Sequence, residues 1–270
     1  MNHKILITVF LSILNMGCAE IEPTIPALSA VIGGERKVLI EEFTGVRCVN
    51  CPDGSAEIEN IRARFPDRVV AVSIHTGFFA NPYPENRFDF RTNEGTPLEI
   101  FLESPQGYPS AVVNRKKFTG QMGLQVGQAS WASLVERELR ENPVLKLFFI
   151  KNYTPNTRAL EVKIRISPIQ NVSTNDLRLT VLITENNVLD AQLTSNGKKL
   201  DYNHQHILRK IVTNFDGNVL ENLSTGNLVE KSFQLTLPAA WKSNACNIVA
   251  FVSHSGGTKE VLQVGETAVE

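Results

Sequence analysis

Cysteine is scarce in this chain: four in 270 residues exclude a small fold stapled together by disulfides. The pair at Cys48 and Cys51, three positions apart, must therefore be explained locally. Charge of one sign is also lacking. The 27 lysines and arginines nearly balance 28 aspartates and glutamates, and a formal net charge of -1 leaves no electrostatic case for nucleic acid. No second C-x-x-C and no suitably spaced histidine pair accompanies the first, which argues against zinc; no metal and no cofactor are expected. What the chain does have is apolar content, 42% against 20% charged, sufficient to bury a core rather than stay disordered, and a length that suits two domains.

The N-terminus reads as a targeting segment. Lys4 precedes an apolar run at residues 5–14 that is too short to span a bilayer but suits the h-region of a secretory signal. The run ends in Leu14-Asn15-Met16-Gly17-Cys18, which resembles a bacterial lipobox, with Asn15 where leucine is usual; small Gly17 also suits ordinary cleavage near Cys18. The lipobox resemblance implies a lipoprotein signal peptide over residues 1–18 and a lipid on Cys18 that anchors the protein to a membrane. Residues 19–35, with Pro23, Pro26 and Gly33-Gly34, read as a flexible tether.

The next stretch organises the chain. Val38, Leu39, Ile40 and Phe43 read as a buried strand, and Ile58, Ile61 and Phe65 recur at helical spacing. Cys48-Val49-Asn50-Cys51 falls at the turn between them. There the unpaired N–H groups of a helix N-terminus stabilise a thiolate, the reactive form of cysteine, so the position reads as a redox pair. A structural disulfide or an inert relic remains an alternative for the same residues. A strand over residues 69–75 follows, then an irregular stretch through Gly77, Pro82, Pro84 and Gly95 with a helix near residues 98–103. A strand over residues 110–115 comes directly after Gly107-Tyr108-Pro109. Leu124, Trp131, Leu134, Val135 and Leu139 then predict a helix over residues 124–140, ended by Asn142-Pro143. Pro143 divides a first domain, residues 36–142, from a second, residues 143–270.

An acidic residue six positions before C-x-x-C, together with Gly107-Tyr108-Pro109-Ser110, resembles the thioredoxin superfamily. The resemblance implies that Cys48 is the attacking thiol, Cys51 the resolving thiol, Glu42 the buried carboxylate beneath them and Pro109 the cis-proline facing the pair. Arg47 stands where that family commonly has Trp, and Val49-Asn50 is not the Gly-Pro of thioredoxin itself, so no redox potential carries over. On this reading Cys48, beside Arg47, is the more exposed thiol with a depressed pKa. Glu42, if buried, has a raised pKa and exchanges a proton with Cys51. Pro109 leaves the backbone of Tyr108 free for an extended partner segment.

Beyond Pro143, seven apolar and β-branched runs, near residues 145–153, 160–166, 177–184, 206–213, 231–237, 247–253 and 259–264, are separated by turn residues. They predict an immunoglobulin-like antiparallel β-sandwich. Residues 160–166 alternate apolar and charged, as a half-buried strand does. Cys246 reads as a small buried hydrophobe. His204 and His206, two apart on a strand, would share one face, but no third ligand joins them.

The lipobox, the thioredoxin-like part, the run from Asp201 through His204 and His206 to Arg209, and the ending Val249-Ala250-Phe251-Val252 with residues 259–264 resemble the outer-membrane-protein-28-related lipoproteins of Bacteroidetes. That resemblance implies a cell-envelope lipoprotein at the outer membrane and says little about chemistry. Two functions stay open. One is a thiol-disulfide oxidoreductase acting on thiols or disulfides of envelope proteins; the other is a surface binding or adhesion lipoprotein whose thioredoxin-like part is a scaffold.

Overall fold

The computed structural model describes residues 31–32 and 35–270 apart from Ser173 and Asn222. The expected signal peptide, Cys18 and most of the tether lie outside the described residues. In chain order the first half contains β1 (Val31–Ile32), β2 (Val38–Thr44), α1 (Cys51–Arg64), β3 (Val69–His75), α2 (Gly95–Phe101), β4 (Ser110–Val113), β5 (Gln125–Gly127) and α3 (Trp131–Glu138). The second half is β6 (Leu145–Thr154), β7 (Ala159–Pro168), β8 (Leu177–Glu185), β9 (Val188–Thr194), β10 (Gly197–His204), β11 (Ile207–Ile211), β12 (Asn218–Val219), β13 (Val229–Thr236), β14 (Cys246–His254) and β15 (Val261–Ala268).

In the first half β2 and β3 pair in parallel across α1, β4 runs antiparallel to β2, and β5 antiparallel to β4. With α3 closing the run, this is the thioredoxin-like arrangement. Every residue of β2 and of β3 is buried, which explains why both read as near-continuous apolar runs rather than alternating ones. One face of this sheet packs Val38, Ile40, Ala71 and Val113 against Ile58 and Ile61 of α1 and Trp131 and Val135 of α3. The other packs Leu39, Phe43, Val72 and Val112 against Leu182, Leu208, Val249 and Phe251 of the second half.

The sheet does not stop at the edge of the first half. Its strand order is β5-β4-β2-β3-β11-β8-β14-β15, with β12 attached to β8. The join is parallel: Ile207 lies opposite Ser73, whose N–H donates to the carbonyl of His206 at 2.8 Å. A second sheet, β1-β6-β7-β13, is antiparallel and packs on β8 and β14 through Leu147, Phe149, Ile164, Leu179, Val181, Ile248 and Ala250. The second half is thus β-rich, with two sheets sharing a core, and one of those sheets is an extension of the first half's own.

An ion pair sits inside the contact between the halves. Arg115, 1% exposed, donates from Nε and Nη2 to Glu41 at 2.8 and 2.6 Å, and its guanidinium lies 4.6 Å from the ring centre of Phe251. Two charged hydrogen bonds and an aromatic face offset the cost of burying this guanidinium, while its Nη1 finds no hydrogen-bond partner among the described residues. Arg115 and Asn114 both have positive φ, at 49° and 47°, so β4 ends at Val113 and not at residue 115 as its composition suggests. Asn114 then takes over: its side-chain oxygen accepts the N–H of Leu39 at 2.9 Å, and its carbonyl accepts the N–H of Val261 at 2.8 Å.

The expected helix over residues 124–140 is divided in the structure. Val126 pairs opposite Ala111 in β5, Gly127 is extended, and the helix begins only at Trp131. The apolar spacing is satisfied differently, because Val126 and Trp131 reach one core from a strand and a helix. The β9–β10 hairpin is a further departure, since residues 188–204 are too polar to stand out as strands; Gly197, at φ 98°, makes its turn. Because strands of both halves share one sheet and the buried Glu41–Arg115 pair, the halves should open together. Denaturant-dependent hydrogen exchange should give equal opening free energies for the core amides of β2, β3, β8 and β14. Protection that persists in β8 and β14 after β2 and β3 have exchanged would refute this.

Candidate functional site

The site is built where β2 ends and α1 begins. Cys48 and Cys51 form a disulfide across the turn, with Cys51 as the first residue of α1. Pro52 follows inside the first helical turn, where its missing N–H removes no hydrogen bond. Cys48 is 3% exposed and Cys51 1%, so the first cysteine is scarcely more open than the second. Val49 and Asn50 form the outward tip.

Beneath the disulfide-bearing turn, Glu42 is fully buried, and its Oε2 accepts a hydrogen bond from Ser73 Oγ at 2.9 Å. The two are direct partners across the parallel β2–β3 pair. Burial drives the Glu42 carboxyl up to about 7, against the opposing pull of hydrogen bonds from Ser73 and Ser55. Oε1 has no hydrogen-bond partner among the described residues. The Tyr108–Pro109 peptide is cis. Gly54 of α1 is what lets these parts meet. A Cβ there would lie 2.8 Å from Cβ and Cγ of Pro109 and 3.0 Å from Glu42 Oε1, so only glycine lets the proline and the carboxyl close on the helix. The structure therefore brings Glu42 and Pro109 together on α1, the helix that Cys51 starts and whose preceding turn carries Cys48.

Arg47 is not directed to the thiols. Its guanidinium donates to the carbonyls of Asn81 and Pro82, both at 2.6 Å, and lies 4.6 Å from the ring centre of Tyr83. Its charge is engaged in fastening the irregular stretch after β3.

The second half reaches the disulfide directly. Gln192 of β9, 3% exposed, donates from Nε2 to the carbonyls of Cys48 at 3.0 Å, Gly45 at 3.3 Å and Leu193 at 2.9 Å. The N–H of Leu193 donates to Val46 at 2.8 Å. The hairpin is held in turn by Asp190, whose carboxylate accepts the N–H groups of Arg87 and Phe88, and by Asn86, whose amide donates to Ala191. This wall fastens the turn that carries Cys48.

Behind the wall is a small cavity lined by Cys51, Ser55, Ser73, His75, Tyr202 and His204. The imidazole of His75 packs 4.9 Å from Phe90 and 5.8 Å from His204. Burial holds His75 well below its ordinary pKa and pushes His204 down to about 4, so both rings are neutral. His204 and His206 do not share a face: His206 has φ 54°, and its Nε2 lies 2.7 Å from Glu59 Oε1. Cys246 is fully buried, its thiol pushed up to about 12 by burial.

Sequence reasoning missed Gly54, Ser55, Ser73, Gln192 and Tyr202. Ser73 carried a signal, as a polar residue interrupting the apolar run of residues 69–74, and Gly54 carried one as a glycine in a helix's first turn. Gln192 carried none, since nothing local marks a residue that meets the site through tertiary packing.

Comparison with known proteins follows from this geometry. The structure is similar to that of HBP35 of Porphyromonas gingivalis, with a TM-score of 0.69 and 19% identity over 88% of this chain and 76% of that one. It is also similar to protein AGR_C_4864 of Agrobacterium tumefaciens, with a TM-score of 0.54 and 14% identity over 88% of this chain and 96% of that one. At these identities the likeness speaks for the fold alone. No curated protein sequence matches the chain. The family model described as outer membrane protein Omp28 matches residues 104–270, well over half of the chain. The chain therefore belongs to the Omp28 family of outer membrane proteins.

Proposed function

We propose that this outer membrane protein is a lipoprotein, anchored through Cys18, that carries out thiol–disulfide exchange on envelope proteins at Cys48 and Cys51. The observation that carries the reading is the convergence of Glu42 and cis-Pro109 on Gly54 of the helix that begins at Cys51. A structural cross-link has no use for a buried carboxyl that titrates near neutral pH. In the oxidised state a partner thiolate attacks Cys48, and Cys51 leaves as a thiolate that takes a proton from Glu42. A second partner thiolate then attacks the partner sulfur of the mixed disulfide and releases Cys48. The partner dithiol loses two electrons and becomes a disulfide; the protein's disulfide gains them and becomes two thiols. In the reduced state the same steps run backwards, with Glu42 accepting the proton of Cys51. The two packed sheets of the second half, which we read as an immunoglobulin-like sandwich beginning at Pro143, serve as a docking or spacer module.

A second reading has its own support. Both cysteines are almost wholly buried, Gln192 fastens the turn that carries them, and the family match begins at residue 104, after the pair. These favour a binding or adhesion lipoprotein with a static bridge.

Trapping separates the two. Cys51→Ser should accumulate mixed disulfides with envelope proteins, because the covalent intermediate is no longer closed off within the chain, and Cys48→Ser should accumulate none. No captured partner from either variant, with stability lost in both, would decide for the bridge. Fractionation tests the anchor: Cys18→Ser should move the protein out of the membrane pellet, and a variant still found there would contradict lipidation.

Proton handling by Glu42 predicts a pH dependence of stability. The folded protein keeps this proton up to about pH 7, whereas the unfolded chain releases it near the ordinary value of 4.5. Between those values the folded state holds more protons, so this contribution to stability is complete below the window and is lost as pH rises through it. Glu42→Gln should match the native protein in unfolding free energy from denaturant titration at acid pH and exceed it above neutrality by roughly 3 kcal/mol. Equal free energies across the whole range would show that the carboxyl is not perturbed.

A further inference from the structure

The disulfide is closed off in this structure. With Cys48 3% and Cys51 1% exposed, a partner thiolate, which must approach a sulfur in line with the S–S bond, has no way in. The β9–β10 hairpin beside it is attached in a manner that lets it move as a unit. It is a two-stranded sheet of its own, paired to no other strand among the described residues, and a hairpin that pairs only with itself is marginal without packing to hold it. That packing is mostly polar. The buried side chains of β9 and β10 are three polar ones, Asp190, Gln192 and His204, and two small apolar ones, Val188 and Ala191, so little apolar surface enters water when the hairpin lifts. The hydrogen bonds that Gln192 makes to Gly45 and Cys48, and Leu193 to Val46, can be remade with water.

Both strands leave the large sheet through a residue in the left-handed region. Asn187, between β8 and β9, has φ 57°, and His206, between β10 and β11, has φ 54°. Side-chain amides tie the two crossings into a neck. Gln205 Nε2 donates to Asn187 Oδ1 at 3.0 Å, its Oε1 accepts the N–H of Asn187 at 3.2 Å, and Asn186 Oδ1 accepts the N–H of His206 at 2.8 Å. From this neck the hairpin reaches the disulfide. Gln192, Tyr202 and His204 line, with Cys51 and Pro52, the small chamber behind the bond, and Gln192 Nε2 lies 3.0 Å from the Cys48 carbonyl.

Resting on the thiol–disulfide reading above, we propose that the β9–β10 hairpin is a gate on the Cys48–Cys51 disulfide, hinged at Asn187 and His206 and latched by Gln192. Closed, it holds the turn and denies a partner the sulfurs. Open, it releases the Cys48 carbonyl and uncovers the pair, and exchange proceeds from that form. A pair so guarded reacts slowly with small thiols and quickly only with a partner whose binding favours the open hairpin.

The test needs no envelope partner. The oxidised full chain is reduced with dithiothreitol under native conditions; the reagent's two thiols give two electrons to the protein disulfide and close into a cyclic disulfide, and the new protein thiols are counted by alkylation and mass. Gln192→Ala should raise the reduction rate at least about tenfold, because it removes the latch from two carbonyls. Hydrogen exchange supplies an independent reading. The ladder amides of β9 and β10 should open at lower free energy than those of β8, and Gln192→Ala should speed their exchange by the same factor as the reduction. Lys198→Ala, a surface substitution that leaves the core intact, removes the clasp between the hairpin tip and Glu85, 2.9 Å away, and should accelerate both by about twofold. Val162→Ala weakens the core of the second half away from the hairpin and should leave the reduction rate unchanged. A reduction rate unaltered in Gln192→Ala and Lys198→Ala, hairpin amides as protected as those of β8, or an equal acceleration by Val162→Ala would each overturn the gate. The exchange reading fails separately: if Cys51→Ser captures no partner while Gln192→Ala still accelerates reduction, the hairpin merely covers a static bridge, and the gate falls with that reading.

Discussion

Strand β2 is buried on both faces, and most of the molecule follows from how its two central acids are accommodated. Glu41 and Glu42 are neighbours, so the period of two sends their side chains to opposite sides of the sheet. Glu41 meets Arg115 on the side that faces the second half, where a charge without a partner would be expensive. Glu42 meets only hydroxyl groups on the side that faces α1, and with no cation there its carboxyl rises to about 7. One residue therefore stabilises the union of the halves and the next has the proton affinity that exchange chemistry requires. The first of these depends on the second half, whose Phe251 ring lies over the Arg115 guanidinium; the second comes from burial against α1.

The same dependence appears at the join between β3 and β11. Ser73 makes the backbone contact to His206 and also donates its hydroxyl to Glu42, so the seam of the extended sheet and the support of the carboxyl are one residue. Gln192 does the equivalent on the other side of the turn. The second half supplies a wall of the site and the continuation of its sheet, and it is also most of what the Omp28 family match covers.

Much of this was legible in the chain. The strands around the site were visible because buried parallel strands have little choice but to be continuously apolar, and residues 69–75 match β3 throughout. Cys48 and Cys51 could be singled out because a pair at the turn between a strand and a helix survives as spacing in sequence, whereas Glu42 and Pro109 could be named only through the resemblance to the thioredoxin superfamily. The division of residues 124–140 was hidden, since one apolar periodicity can be satisfied by a helix or by a strand followed by a shorter helix. The β9–β10 hairpin was hidden for another reason: its burial comes from packing on residues about 100 positions earlier, such as Asn86 and Arg87, and not from its own composition. Arg47 misled for the same reason, because adjacency in sequence to Cys48 does not determine where a long side chain ends.

Gly54 carries a consequence for how such proteins diverge. A single methyl group at that position would separate cis-Pro109 and Glu42 from the helix while leaving both cysteines and their cross-link in place. On the exchange reading, descendants of this architecture can lose the site around the pair without losing their C-x-x-C, and a surviving cysteine pair is then a poor guide to which of them retain it. The better marker is an inconspicuous glycine three residues further on.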